Sequence, residues 1–122
     1  MTPEEMKQRT KAFALRVIRL VQAAPRSREA NVIGGQLLRA GTSVGANYRA
    51  ACRARSHAEF VAKLGVVEEE ADEALYWLEL LVEAGFMKVS RVCNLMREAD
   101  EILSIVVTSV ITARGRKQDA RK

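Results

Sequence analysis

Aromatic residues are scarce in this chain: three phenylalanines, two tyrosines and one tryptophan make up 5% of its 122 residues. That argues against an exposed stacking platform of the kind that reads single-stranded bases. Only two prolines occur, at positions 3 and 25, so long stretches run without a helix breaker. The single histidine, His57, excludes a di-iron carboxylate bundle, which needs a Glu-x-x-His on each of two helices. It also leaves Cys52 and Cys93 without a spare base for thiol catalysis. Those two cysteines match neither a zinc spacing nor a disulfide framework. No apolar run approaches the roughly 20 residues of a membrane-spanning helix. The opening MTPEEMKQR lacks the apolar centre of a secretory signal. We therefore expect a cytoplasmic chain that works away from membranes, with reduced thiols, no metal and no cofactor.

What is present is the vocabulary of helices, dominated by Leu, Ala, Val, Glu and Arg. Thr2, Pro3 and Glu5 supply a cap, a first-turn proline and a capping-box acid, and Met6, Thr10, Phe13, Val17, Leu20 and Ala24 follow on one face. Ser27 is placed to cap a second helix reaching about Ala54, with Ile33, Leu37, Ala40, Val44, Tyr48 and Ala51 as its stripe. Ser56 and Glu59 open a third, striped by Phe60, Leu64, Val67, Ala71, Ala74, Leu75, Leu78, Leu81 and Val82 and closed by Gly85. The fourth runs from about Val89 to Arg114 on Val92, Met96, Ala99, Leu103, Val106, Val110 and Ala113. Short connections between long helices imply an all-α, antiparallel up-down-up-down four-helix bundle. Residues 1–114 form its single domain, and the polar residues 115–122 are expected to be a disordered tail.

The stretch RAGTSVGANYRAACRAR, residues 39–55, could be mistaken for a phosphate loop. It keeps the helical period throughout, no strand precedes it and no Gly-Lys-Ser/Thr ends it. Gly41 and Gly45 each cost a helix about 1 kcal/mol relative to alanine. Close approach of a neighbouring helix, or of another subunit, is the expected compensation.

Charge is segregated. Residues 1–55 hold eleven basic residues against three acids, and residues 56–88 hold eight acids against two lysines. Arg28, Arg39, Arg49 and Arg53 fall opposite the apolar stripe of the second helix, with Arg9, Arg16 and Arg19 on the first. Such a surface suits a phosphate backbone, RNA favoured over DNA. It also suits a solvated face, or pairing with the acidic helix of a neighbour or a protein partner. Tyr76, Trp77 and Leu80 lie off the core stripe of the third helix, so its C-terminal half is apolar nearly all round. Such a patch marks a subunit interface unless a loop or the tail covers it. Gln36, Ser43 and Asn47 stack along the edge of the second helix, where a half-buried amide is expected to pin helix register. The acids at 68, 69, 70, 72 and 73 point in several directions, and no catalytic constellation forms. A non-enzymatic protein is expected.

Gln36 to Gly85 resembles the central motif of the 23S rRNA intervening-sequence proteins, a four-helix-bundle family. Gln36, Arg39, Ser43, Gly45, Asn47, Glu59, Phe60, Leu64, Glu73 and Gly85 carry the match without a gap, and the flanking helices agree in length. The resemblance implies a homopentameric ring of antiparallel bundles. More distant relatives with a similar bundle are accessory proteins of diversity-generating retroelements, which bind nucleic acid and a reverse transcriptase. After Asn47 this chain reads YRAACRARS where many members carry an acidic–glycine pair, which makes it a basic variant.

Overall fold

The computed structural model describes residues 1–120, with side chains as far as Gly115. It contains four helices: α1 (Pro3–Ala23), α2 (Arg28–Cys52), α3 (His57–Glu83) and α4 (Val89–Ala120). The expected caps are all made. The Thr2, Ser27 and Ser56 hydroxyls accept from the N–H groups of Glu5, Ala30 and Glu59 at 3.1–3.2 Å. The Glu59 carboxylate reaches back to the Arg55 N–H, one residue before the cap it was expected to close. At the end of α3, Gly85 takes φ 81°, and Phe86 and Gly85 donate to the Leu81 and Val82 carbonyls. This is the double bond of a Schellman motif, and it requires the left-handed conformation glycine tolerates.

Each helix packs against the next in sequence and α1 closes onto α4, while among the described residues the backbones of the diagonal pairs do not approach each other. Direction follows from the contacts. Gly34, Gly41 and Gly45 ascend α2 as they meet Val21, Val17 and Thr10 descending α1. Arg9 meets Glu98 while Arg16 and Arg19 lie beside Arg91 and Asn94, so α1 and α4 are also antiparallel. One apolar cluster joins all four helices, and Phe13, Leu37, Leu64, Leu78, Leu81 and Ile102 are its largest fully buried members.

Three details differ from the sequence pattern. α4 continues to Ala120, six residues past the expected end; the rest of the expected tail, residues 121–122, lies outside the described residues. Its inward row is Val92, Leu95, Ala99, Ile102, Val106, Val110 and Ala113, so Leu95 and Ile102 take places assigned to Met96 and Leu103, which are half-buried. On α2 a second buried row, Ala30, Gly34, Gly41 and Gly45, faces α1. A β-carbon on Gly41 would lie 2.9 Å from both Val17 methyls, and one on Gly45 would lie 3.1 Å from the Thr10 hydroxyl. The close approach that compensates these glycines is therefore to α1 of the same chain.

Candidate nucleic-acid interface

The seven arginines expected to face phosphate divide into two groups. Arg9 and Arg39 are engaged by carboxylates of their own chain. From α1, Arg9 grips Glu98 of α4 through two bonds of 2.8 and 2.6 Å and also bonds Glu101. Those bonds hold the Arg9 guanidinium charged well above its ordinary value, and they hold the Glu98 carboxyl below the usual carboxylate range. From α2, Arg39 bonds Glu70 at 3.1 Å and also Glu73 of α3. The Arg39 bond likewise lowers the Glu73 carboxyl. The acidic rod thus meets the basic helix inside one chain, an arrangement the linear pattern left open.

Arg16, Arg19, Arg28, Arg49 and Arg53 have no carboxylate within ion-pair distance among the described residues. They do not form one row. Two grooves flank α1 instead. Between α1 and α2, a cavity of about 240 Å³ is lined by Lys7, Lys11, Arg49, Gln8, Thr42 and Glu4, the last 4.0 Å from Lys7. Between α1 and α4, a cleft of about 320 Å³ is lined by Arg16, Arg19, Arg91 and Asn94 over Leu20, Ala23 and Leu95. Arg28 and Arg53 sit at opposite ends of α2 and line neither groove. The cationic surface is therefore centred on α1, with α2 and α4 contributing one wall each. Lys7, Lys11 and Arg91 were missed from the sequence, although Arg91 occupies the first turn of α4, where the other helices carry an acid.

Asn47 does not pin one helix to another. Its Nδ2 donates to the Ser43 carbonyl of its own helix at 2.9 Å, and the Ser43 hydroxyl donates to the Arg39 carbonyl at 2.7 Å. Gln36 accepts from Arg39 Nε at 3.4 Å, so the polar edge is a ladder internal to α2. A half-buried amide that finds its partner one turn back needs no second helix.

The apolar patch on α3 is smaller than expected. Trp77 and Leu80 are half-buried within the chain, Trp77 packing against the core; only Tyr76 stands clear, 53% exposed. The two rings meet edge to face, centroids 5.1 Å apart. The Trp77 N–H is buried and makes no hydrogen bond of good geometry. Glu73, one turn back, is nevertheless near enough for the indole N–H to add slightly to what Arg39 does to its carboxyl.

Residues with catalytic potential are scattered. His57 is exposed at the start of α3. Burial pushes the Tyr48 phenol up to about 12, and the adjoining Cys52 adds to it. Among the described residues no three His, Cys, Asp or Glu side chains are grouped to hold a metal, and no helix is long and apolar enough to cross a membrane.

Four antiparallel helices with a cationic groove on either side of the first, and ion pairs joining α1 to α4 and α2 to α3, define a small all-α bundle. The chain belongs to the 23S rRNA-intervening sequence protein family, whose model matches residues 4–108. It is also similar to a solved structure of a protein of unknown function from the S23 ribosomal protein family of Bacteroides thetaiotaomicron VPI-5482. The two are 32% identical with a TM-score of 0.80, over 86% of this chain and 97% of that one. No curated protein matches this chain.

Proposed function

We propose that this protein is a non-enzymatic, homo-oligomeric bundle that contacts nucleic acid, RNA in preference to DNA, through the cationic surface centred on α1. The observation that carries the reading is the fate of the charges. Where arginines meet the acidic residues of α3 and α4 they are paired, whereas Lys11, Arg16, Arg19, Arg49 and Arg91 line grooves with no ion-pair partner among the described residues. Cations left unpaired in concave surfaces focus potential outward and attract a polyanion. Binding of this kind is read by its salt dependence, because each neutralised phosphate releases condensed counterions. Titrating labelled RNA and DNA at several salt concentrations should show affinity falling steeply as salt rises. No binding even at low salt would sink the proposal and leave the competing reading, a protein–protein scaffold. Arg39 and Arg9, already paired with carboxylates of their own chain, are left out of the proposed surface.

The self-association in this reading rests on the C-terminal half of α3, where Tyr76 is exposed beside the half-buried Trp77. Five copies in a ring are what the resemblance implies, and such a ring needs two different patches meeting head to tail. Tyr76→Glu should shift the assembly toward monomer without unfolding the chain, since the phenol already stands in solvent. Light scattering decides it: a wild-type mass near the 13.5 kDa of one chain would end the oligomer proposal.

A further inference from the structure

We infer that the cleft between α1 and α4 is a phosphate-binding site, and that Arg16, Arg19, Arg91 and Asn94 hold one phosphate with its attached sugar. The inference rests on the nucleic-acid reading for its natural occupant, one unit of an RNA backbone, but not for its chemistry.

Three arginines line one cleft of about 320 Å³, and none of them has a carboxylate within ion-pair distance among the described residues. Like charges gathered in a concavity repel unless an anion sits among them. Glu98, one turn beyond Asn94, is the acid that could have neutralised them. Its carboxylate is committed to Arg9, and Arg16 adds only a weaker attraction to it. The Asn94 amide adds a neutral donor and acceptor suited to a sugar hydroxyl. Leu20 and Leu95 give the cleft an apolar floor, and its volume exceeds what a bare phosphate fills.

The start of α4 points the same way. α1, α2 and α3 each open with an acidic residue in the first turn and a hydroxyl accepting from a first-turn N–H. α4 opens on Lys88, Val89, Ser90 and Arg91, with no acid in its first turn and no side-chain cap among the described residues. A helix N-terminus carries partial positive charge, so Lys88 and Arg91 there cost stability that an anion beside the helix would return. The arginine-lined cleft adjoins those first two turns.

The test uses the full chain and two probes, a single-stranded RNA ten nucleotides long and inorganic phosphate. Arg91→Gln should weaken RNA binding about tenfold, as loss of one charged hydrogen bond does. It should also reduce the slope of log affinity against log salt by roughly 0.7. Arg97→Gln removes the same charge from an exposed position of α4 outside the cleft and should change affinity less than about twofold. Inorganic phosphate should shift the guanidinium N–H resonances of Arg16, Arg19 and Arg91 and the side-chain amide of Asn94, and Arg91→Gln should abolish those shifts. Equal losses in the two variants, with no phosphate-induced shifts, overturn the site while leaving RNA binding by the surface standing. Phosphate shifts without any RNA binding support the site and overturn the nucleic-acid reading. If neither probe binds, both fall.

Discussion

Replacing Gly41 by alanine should destabilise the protein by roughly 1–2 kcal/mol, although alanine is the better helix former by about 1 kcal/mol. The added methyl would lie 2.9 Å from both methyls of Val17 and 3.2 Å from its β-carbon. Val17 cannot turn aside: it is fully buried, and its β-branch leaves one strongly preferred rotamer on a helix. Relief must therefore come from moving α1 off α2, which loosens the row from Val21 down to Thr10. Gly41→Leu, which cannot be accommodated by a small shift, should cost about 3 kcal/mol or more. Gly35 is the control. It sits on the same helix with nothing within 4 Å of its would-be β-carbon, so Gly35→Ala should stabilise by about 0.5–1 kcal/mol. Thermal melts resolve the difference, since 1 kcal/mol moves the midpoint of a chain this size by roughly 4 °C. Equal gains at both positions would show that the two helices do not touch along this line.

Removing the Arg9 guanidinium should have a comparable effect with a distinctive pH dependence. Arg9→Met keeps the length of the side chain but leaves the Glu98 carboxylate, 17% exposed, without its partner. The stranded charge should cost about 2 kcal/mol at pH 7, below the full penalty of a deeply buried pair because both groups retain some water. Glu101 is more than half exposed and adds little. Arg9 lowers the Glu98 carboxyl in the folded protein, so its contribution is fully present above the ordinary glutamate value of about 4.3 and is lost as pH falls through the lower folded value. Wild type and variant should therefore differ by a constant amount above about pH 5 and converge as the solution is acidified toward pH 3. Urea denaturation at both ends of that range measures it. A difference that persists undiminished at pH 3 would mean that Arg9 acts through its aliphatic packing.

The pairing of Arg9 and Arg39 also shows why charge counting along the chain went only part of the way. The sequence displays eleven basic residues before position 56 and eight acids between 56 and 88, and from this the segregation is plain. Whether an acid and a base meet depends on register between helices 30 to 90 residues apart in the chain, which no local period encodes. Arg39 to Glu70 and Glu73, and Arg9 to Glu98 and Glu101, are partnerships of that kind. Asn47 failed in the opposite direction: its position at a stripe edge suggested a partner across a helix, whereas the Ser43 carbonyl one turn back was nearer.

By itself the sequence determined the helices, their caps and the all-α class. Those depend on interactions within four residues: Thr2, Ser27 and Ser56 reaching N–H groups three residues on, Gly85 turning left-handed, and apolar residues recurring every three or four positions. Tertiary structure decided which neighbour each face meets. It alone showed that Gly41 and Gly45 admit α1, that Leu95 and Ile102 point inward, and that Trp77 is half covered by its own chain. It also brought Arg91 alongside Arg16 and Arg19, 75 and 72 residues earlier in the chain. The reason is one of range. A helical period tells which residues share a face but not the rotation of that face about the bundle, and rotation is settled only when side-chain volumes from all four helices fill one core at close-packed density.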